Sequence, residues 1–469
     1  MTIIRPWETF REWHNRYQSD ILHIQVPGQH IILLSTVEDA IELLERRSNI
    51  YSDRITPVMI ELMEMHYNVA LMPYSSTWRA HRRLFHQEFH PTDIDKYKAT
   101  QLKQARNFLG WVSKSPAQSY LHTRRFVTAI ILSIAYGRTI TDMDDEQVVL
   151  VEKVALGSAV ATLPGSFWVE FLPFLKYLPR WIPGQTFRKH ADTYIPLVAA
   201  MRDKPFGEVQ AAVDQGRAAP SLAQTLIEKA RTMYGGTPEE STYLDLAKNV
   251  TAFAYAAAAD TTASTSLFFL LAMALYPAVQ KQAQAELDKV IGPNRLPDWD
   301  DLDRLPFLNA ILMEVMRWTP VTPIGVPHAV STDDEYKGYC IPNGSLVIPS
   351  FWTLMRNADD YPDPDAFKPE RFLDKDGSID PSVRDPTTIA FGFGRRICPG
   401  KYFAINNVLI FMATTLHVFD VSAGVDENGR PVELTTEMIG SVVAMPRCVP
   451  CGFTPRSKVA ETLIHGVAA

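Results

Sequence analysis

The sequence predicts a mostly α-helical fold with a smaller β part, built as one large domain over residues 1–469. Three observations carry this. Apolar residues recur at helical spacing through most of the chain from about 35 to 318. Short β-type runs are confined to 21–34 and to the part after 321. No repeat, low-complexity tract or linker divides the chain.

Taken in order, ILHIQV (21–26) and HIILL (30–34) are β-rich runs separated by Pro27-Gly28-Gln29, which reads as a hairpin. A helix follows at once. Ser35 with Glu38 forms a capping-box pattern, and Val37, Ala40, Ile41 and Leu44 share one helical face. Proline-rich segments such as FLPFLKYLPRWIPG (171–184) interrupt the helical patterns. After 321, GYCIP and LVIPS alternate with turns, and a last helix is predicted over about 399–418. The apolar stretch 251–276 is long enough to span a bilayer. Its central Asp260, with Thr261 and Thr262, would be costly in lipid, so it is read as a buried central helix.

Composition narrows the function. With 46% apolar residues, 21% charged residues and a net charge of −7, the chain reads as a folded protein without the basic excess of a nucleic-acid binder. The N-terminus has no hydrophobic signal core. The cysteines, Cys340, Cys398, Cys448 and Cys451, are too few for a disulfide framework. Cys448-Val-Pro-Cys451 lacks the second pair of a zinc ribbon and the following His of a c-type haem site, so its spacing reads as incidental.

The stretch FGFGRRICPG (391–400) admits three readings. A G-x-G-x-x-G phosphate loop fails because position 397 is Ile and no βαβ unit opens there. A cysteine nucleophile lacks a neighbouring base. A cofactor-binding cysteine accounts for every residue. Pro399 is suited to start a helix just after Cys398, whose thiolate the helix dipole and free N–H groups would stabilise. Gly394 and Gly400 permit close approach of the backbone to a flat ligand. Phe391 covers the sulfur, and Arg396 offers a cation to an anionic group.

That pattern, F-x-x-G-x-R-x-C-x-G, resembles the haem-binding loop of the cytochrome P-450 superfamily, the haem-thiolate monooxygenases. Three further motifs resemble the family in its order. EVMR provides Glu314 and Arg317 at i, i+3; in the family this pair joins an arginine, here Arg371 of FKPERF, in a structural network. AAAADTT resembles the central-helix motif, which implies that Asp260 and Thr261 are the acid–alcohol pair delivering protons. Ala258 stands where the family has Gly, adding a methyl where dioxygen needs room. WRAHR places Trp78 and Arg82 on one helix face, where the family meets a haem propionate. His328 resembles another carboxylate contact, against the simpler reading of a structural histidine.

The resemblance covers essentially the whole chain. RRSNIYSDR, SFWVEFLPFLKYLPRWIPG and YPDPDAFKPERF are most similar to fungal, especially basidiomycete, members of secondary metabolism, including groups that oxidise aflatoxin precursors (O-methylsterigmatocystin) or hydroxylate tryptamine. The resemblance implies haem b held by Cys398 as axial iron ligand, with Trp78, Arg82, His328, Phe391, Gly394, Arg396 and Gly400 around it. It implies dioxygen, an apolar small-molecule substrate, electrons from a separate NADPH-dependent reductase, a monomer, and an endoplasmic reticulum membrane location. The membrane anchor usual in the family is expected to be missing through truncation, since residue 1 falls just before PWETF. Arg79, Arg83, Arg395 and Lys401 form either a basic docking face or a merely solvated run of charge. The pocket is expected between 58–74, the central helix (Tyr255, Ala258, Ala259), the 321–326 segment (Val321, Ile324, Val326) and a hairpin carrying Val442. Rival readings are a haem-dependent isomerase or peroxygenase on the same scaffold, and a non-enzymatic membrane protein.

Overall fold

Alternating apolar residues and a glycine between them make the first hairpin. β1 (Ile21–Val26) pairs antiparallel with β2 (Gln29–Leu34), and Gly28 supplies the positive φ of 77° that the turn needs. The computed structural model describes residues 5–468 except 27, 141–143, 164 and 441, so Pro27 of the expected turn lies outside it. Gln29 joins the strand rather than the turn.

The strands in chain order continue as β3 (His328–Ala329), β4 (Asp334–Tyr336), β5 (Tyr339–Ile341), β6 (Leu346–Pro349), β7 (Phe419–Ser422), β8 (Met438–Gly440), β9 (Ala444–Pro446) and β10 (Gly452–Pro455). The largest sheet has the order β1-β2-β6-β3, with β2 and β6 parallel. Helices make up most of the remaining regular structure, as the sequence predicts.

Two local expectations need correction, and one element is added. The cap of the helix after β2 is Thr36, whose hydroxyl accepts from Asp39 N at 3.3 Å; Ser35 instead bonds back to Asp20. The helix beyond Cys398 runs Lys401–Val418 with Gly400 at its N-cap, so Pro399 precedes the helix instead of starting it. A further C-terminal helix, Lys458–Ala468, was not foreseen.

The central helix, Pro238–Leu275, begins with Pro at its first position and Glu239 and Glu240 in its first turn, which suits the positive end of the dipole. Among the described residues it is the one helix long and apolar enough to cross a membrane, and 72% of its most apolar window is buried. Residues 262–273 are all buried. Its apolar surface is spent on neighbouring helices, among them Ser119–Tyr136. Phe411 of the Lys401–Val418 helix sits among Phe108, Phe126 and Phe269 at centroid distances of 4.7, 4.9 and 6.2 Å. Each such fully buried side chain contributes roughly 1.5–3 kcal/mol. This core holds the Cys398 loop against the central helix.

Candidate functional site

The Cys398 loop folds on itself by a 2.7 Å bond from Cys398 N to Phe391 O. Gly392, with φ of 79°, turns the chain between them. The Cys398 side chain is solvent-accessible although protein surrounds it on every side, as a group facing an interior space must be. Burial pushes its thiol up. The Gly400 N–H, Arg82 and Lys401 oppose that shift without overcoming it, so the dipole at the helix start does not by itself favour the thiolate.

The two glycines expected to face a flat ligand have different roles. A Cβ on Gly394 would lie 2.2 Å from Leu44 O, and its φ is 54°. Its close neighbour is therefore the Glu42–Arg46 turn, a π-helical turn packed against the loop. A Cβ on Gly400 would sit at ordinary contact, 3.9 Å from Cys398 Sγ. Phe391 is half-buried, with Lys401 Nζ 5.7 Å from its ring centroid.

Ser75 caps the helix Ser76–Glu88 through Trp78 N at 3.1 Å, and this brings Trp78 and Arg82 onto one face. Trp78 Nε1 donates to Val69 O at 3.2 Å, and the Arg396 guanidinium lies 4.2 Å over the Trp78 ring. Arg396 donates to Ser52 O and Met72 O at 2.7 and 2.9 Å; burial pushes it down to about 10. Arg82 is half-buried and makes no hydrogen bond or ion pair among the described residues. Burial lowers it while the Cys398 sulfur opposes the shift. His328 is buried, with Nδ1 2.7 Å from Tyr51 O. Burial first, then Arg54 and Arg396, drive its imidazole well below the ordinary value, so it is neutral.

Arg54 was missed by sequence reasoning. It is 7% exposed, donates to Val326 O at 2.6 Å, and leaves Nε unpartnered. Nothing periodic marks it; the only signal was an arginine where the structure later buries the chain. Arg54, Arg82 and Arg396 thus gather positive charge around the neutral His328. Asp53 is the carboxylate that acts on Arg54 and Arg396, and no ion pair joins it to the cluster among the described residues. Such a cluster fits an anionic group, and its donors match carboxylates.

On the central helix, the residues that regain exposure are Phe253, Ala256, Ala257, Ala258, Asp260 and Thr261, with Ala257 the most open. Positions 253, 257, 260 and 261 share one face at helical spacing. Tyr255 and Ala259, expected on the pocket wall, are on the opposite, buried face; Tyr255 donates its hydroxyl to Gln147 O at 2.6 Å. Two residues of helix rotate a side chain by about 200°, which turns Tyr255 away from the face Ala257 occupies. Thr261 Oγ1 donates to Ala257 O at 2.9 Å. Asp260 does not bond to Thr261. Its Oδ1 accepts from Arg124 Nη2 at 2.9 Å, and Arg124 Nε donates to Glu152 at 2.9 Å.

Val321, Ile324, Val326 and Val442 are half-buried. The β8–β9 hairpin is tied down on both sides: Ala444 N donates to Val321 O at 2.8 Å, and Ser264 Oγ donates to Ala444 O at 2.6 Å. This brings the 321–326 segment, the hairpin and the central helix together.

Glu314 and Arg317 are fully buried. Arg317 spends all five donors: two on Glu314 at 2.6 and 2.8 Å, and three on the carbonyls of Met355, Pro364 and Ala366. Arg371 Nε lies 3.3 Å from Glu314 Oε2, and Lys368 N donates to Glu314 Oε1 at 2.7 Å. Glu286 accepts from Phe307 and Leu308 N–H, satisfying the start of this helix (Pro306–Trp318). Of the four basic residues read as a possible docking face, Arg79, Arg83 and Arg395 are exposed; Lys401 is half-buried and bonded to Thr387 O at 3.1 Å. Cys448 and Cys451 face different turns, near Thr435 and near Ala423 and Val425.

With this geometry in hand, comparison with known proteins defines the class. Residues 4–446 match the cytochrome P-450 family, and the match makes the protein an oxidoreductase of the monooxygenase type. The chain belongs to the cytochrome P-450 family. It is 38% identical over 469 residues to the cytochrome P-450 monooxygenase COX2 of Coprinopsis cinerea, covering 100% of this chain and 88% of that protein. It is 39% identical over 460 residues to the monooxygenase ple1 of Rhodocybe pseudopiperita, covering 98% and 87%. It is 36% identical over 455 residues to the tryptamine 4-monooxygenase of Psilocybe cyanescens, covering 97% and 89%. The family implies haem, an organic substrate, dioxygen and a redox partner.

Proposed function

We propose that the protein inserts one oxygen atom into a neutral, apolar small molecule of fungal secondary metabolism, a terpenoid, polyketide or aromatic. Cys398 would hold haem b as axial ligand. Bound through a thiolate, the haem supplies one-electron and dioxygen chemistry that no side chain here carries. The carrying observation is the accessible Cys398 sulfur in an enclosed setting, beside three arginines that make no ion pair among the described residues.

The chain's residues divide the work. Arg82, His328 Nε2 and Arg54 Nε, which have no acceptor among the described residues, would meet the haem carboxylates. Trp78 and Arg396 spend most of their donors on backbone carbonyls and would fix the shape of that wall. Glu314, Arg317 and Arg371 hold the core on the Cys398 side. Asp260 and Thr261 would move protons, with Thr261 already at the open face of the central helix. Phe253, Ala257, Ala258, Val321, Ile324 and Val442 would touch substrate.

A neutral substrate follows from charge. One relative's name specifies tryptamine, an amine. Among the described residues, the side chains named above as touching substrate include no carboxylate, and the neighbouring Asp260 is paired with Arg124.

Electrons would come from an NADPH-dependent reductase docking at Arg79, Arg83 and Arg395. The monomer would sit at the endoplasmic reticulum membrane. Supporting this, Trp168, Phe174, Tyr177 and Trp181 are 75%, 58%, 78% and 81% exposed within one short segment, as an interfacial aromatic surface would be. The test is spectroscopic. The reduced carbon monoxide complex is expected to show the long-wavelength Soret band of thiolate ligation, and Cys398→His to lose it. An unchanged spectrum in that variant rejects the ligand assignment. A binding-spectrum screen of terpenoids, polyketides and aromatic compounds, amines included, then tests the substrate class.

A further inference from the structure

One ring gathers two of the exposed cations near the Cys398 loop. The Arg79 and Arg395 guanidinium carbons lie 5.6 and 5.5 Å from the Tyr74 ring centroid, and Arg395 Nη1 donates to the Tyr74 hydroxyl at 2.9 Å. Neither arginine makes an ion pair among the described residues. Two like charges sharing one ring repel, and at a free surface their flexible side chains would swing apart. The attraction of each guanidinium to the ring, together with the hydroxyl bond, opposes that.

Tyr74 is itself held from below. Its ring packs on Trp78 at 5.1 Å, Arg396 lies 5.9 Å away, and its N–H donates to Asp53 Oδ1 at 2.7 Å. It is half-buried, so one edge anchors in the interior while the other faces the exposed arginines. The result is a fixed, uncompensated pair of positive charges set on the same stack that walls the Cys398 site.

We propose that Tyr74 is a positioning residue for electron delivery. It pre-organises Arg79 and Arg395 to receive an acidic surface patch of the electron-donating flavoprotein above the Cys398 loop. This rests on the monooxygenase reading given above. Fixing two guanidiniums before the encounter lowers the ordering cost that binding would otherwise carry.

The experiment compares Tyr74→Phe, which keeps the ring and removes the hydroxyl, with Tyr74→Leu, which removes both. With a purified NADPH-cytochrome reductase as donor, the reductase KM is expected to rise about threefold for the first and about tenfold for the second, by loss of a hydrogen bond and then of the ring contacts. Turnover at saturating reductase should stay near wild type. Salt should weaken the wild type more than Tyr74→Leu. Peroxide-driven turnover and the reduced carbon monoxide band should be unchanged in Tyr74→Phe. The reductase KM of Tyr74→Leu is read only with its own carbon monoxide band and peroxide-driven turnover as the reference, which separates docking from structural damage. Absence of that band in the wild-type protein refutes the haem-thiolate reading instead. An intact band with unchanged reductase KM in Tyr74→Leu overturns the role of Tyr74. If Tyr74→Leu fails to fold, the double variant Arg79→Gln/Arg395→Gln decides: its KM must rise at least as far, and Tyr74→Phe must add little on top of it. Weaker binding to phosphatidylserine vesicles with unchanged reductase KM assigns the patch to the membrane and also overturns the proposal.

Discussion

Arg124 and Asp260 form an ion pair at 2.9 Å between two helices, and Arg124 at the same time holds Glu152 on a third. The acid expected to deliver protons is therefore turned from Thr261 and tethered through a buried arginine. If Asp260 works in proton delivery, Asp260→Asn should lower turnover by about 10- to 100-fold, within the range of losing a general acid. The carbon monoxide band should persist. Arg124→Met should also lower turnover, because it strands a half-buried carboxylate. Thr261→Ala should consume NADPH at near the normal rate while releasing peroxide. Product yield per NADPH, measured for all three, decides: unaffected yields exclude the relay.

The Glu314–Arg317–Arg371 network offers a sharper stability test. Glu314→Gln leaves the buried Arg317 and Arg371 facing a neutral amide, and breaking a buried pair in this way costs about 3–5 kcal/mol. Denaturant unfolding should show that loss along with poor haem retention. Arg371→Lys keeps a charge but cannot reproduce the fork to Glu314 and the carbonyls of Pro362, Asp363 and Ala366, so it should fall between wild type and Glu314→Gln.

Stability should decline below about pH 6.5, the ordinary histidine value. His14, His81, His122, His328 and His417 are buried, and burial lowers each of them. The native state keeps them neutral while the unfolded chain protonates, so the unfolded state binds more protons and stability rises with pH in that window. Glu170 and Glu286 act the other way from about pH 4.5 upward, since burial raises them. Two carboxyls oppose five imidazoles, so the histidine slope should prevail. Thermal melting between pH 5 and 8 tests this, and His417→Gln should flatten the slope.

Local signals were legible and long-range ones were not. The hairpin at 21–34, the helix around Glu314 and the Cys398 loop declare themselves by alternation, periodicity or fixed offsets within ten or so residues. The pocket face of the central helix does not. Between 254 and 259 nearly every residue is Ala, so no polar contrast reveals which side faces inward, and Tyr255 was assigned to the wrong one. Thr36 and Ser35 are both hydroxyl caps, and backbone geometry alone chooses between them. Arg124 is 136 residues from Asp260, and neither carries a local sign of the other.

The same lesson separates two glycines that sequence reasoning treated alike. At Gly394 a methyl would meet Leu44 O at 2.2 Å with φ of 54°, so Gly394→Ala must move either the loop or the Glu42–Arg46 turn. Left-handed backbone alone costs a residue with a side chain about 1–2 kcal/mol, before the clash is counted. At Gly400 the φ is −92° and the methyl would find ordinary contact. There alanine gains roughly 0.4–1 kcal/mol by restricting the unfolded chain and loses a comparable amount as a poorer N-cap. Gly400→Ala should therefore melt close to wild type. Gly394→Ala should melt several degrees lower and lose the carbon monoxide band as the Cys398 loop shifts. Equal melting temperatures for the two variants reject the assignment of Gly394 to the contact with Leu44.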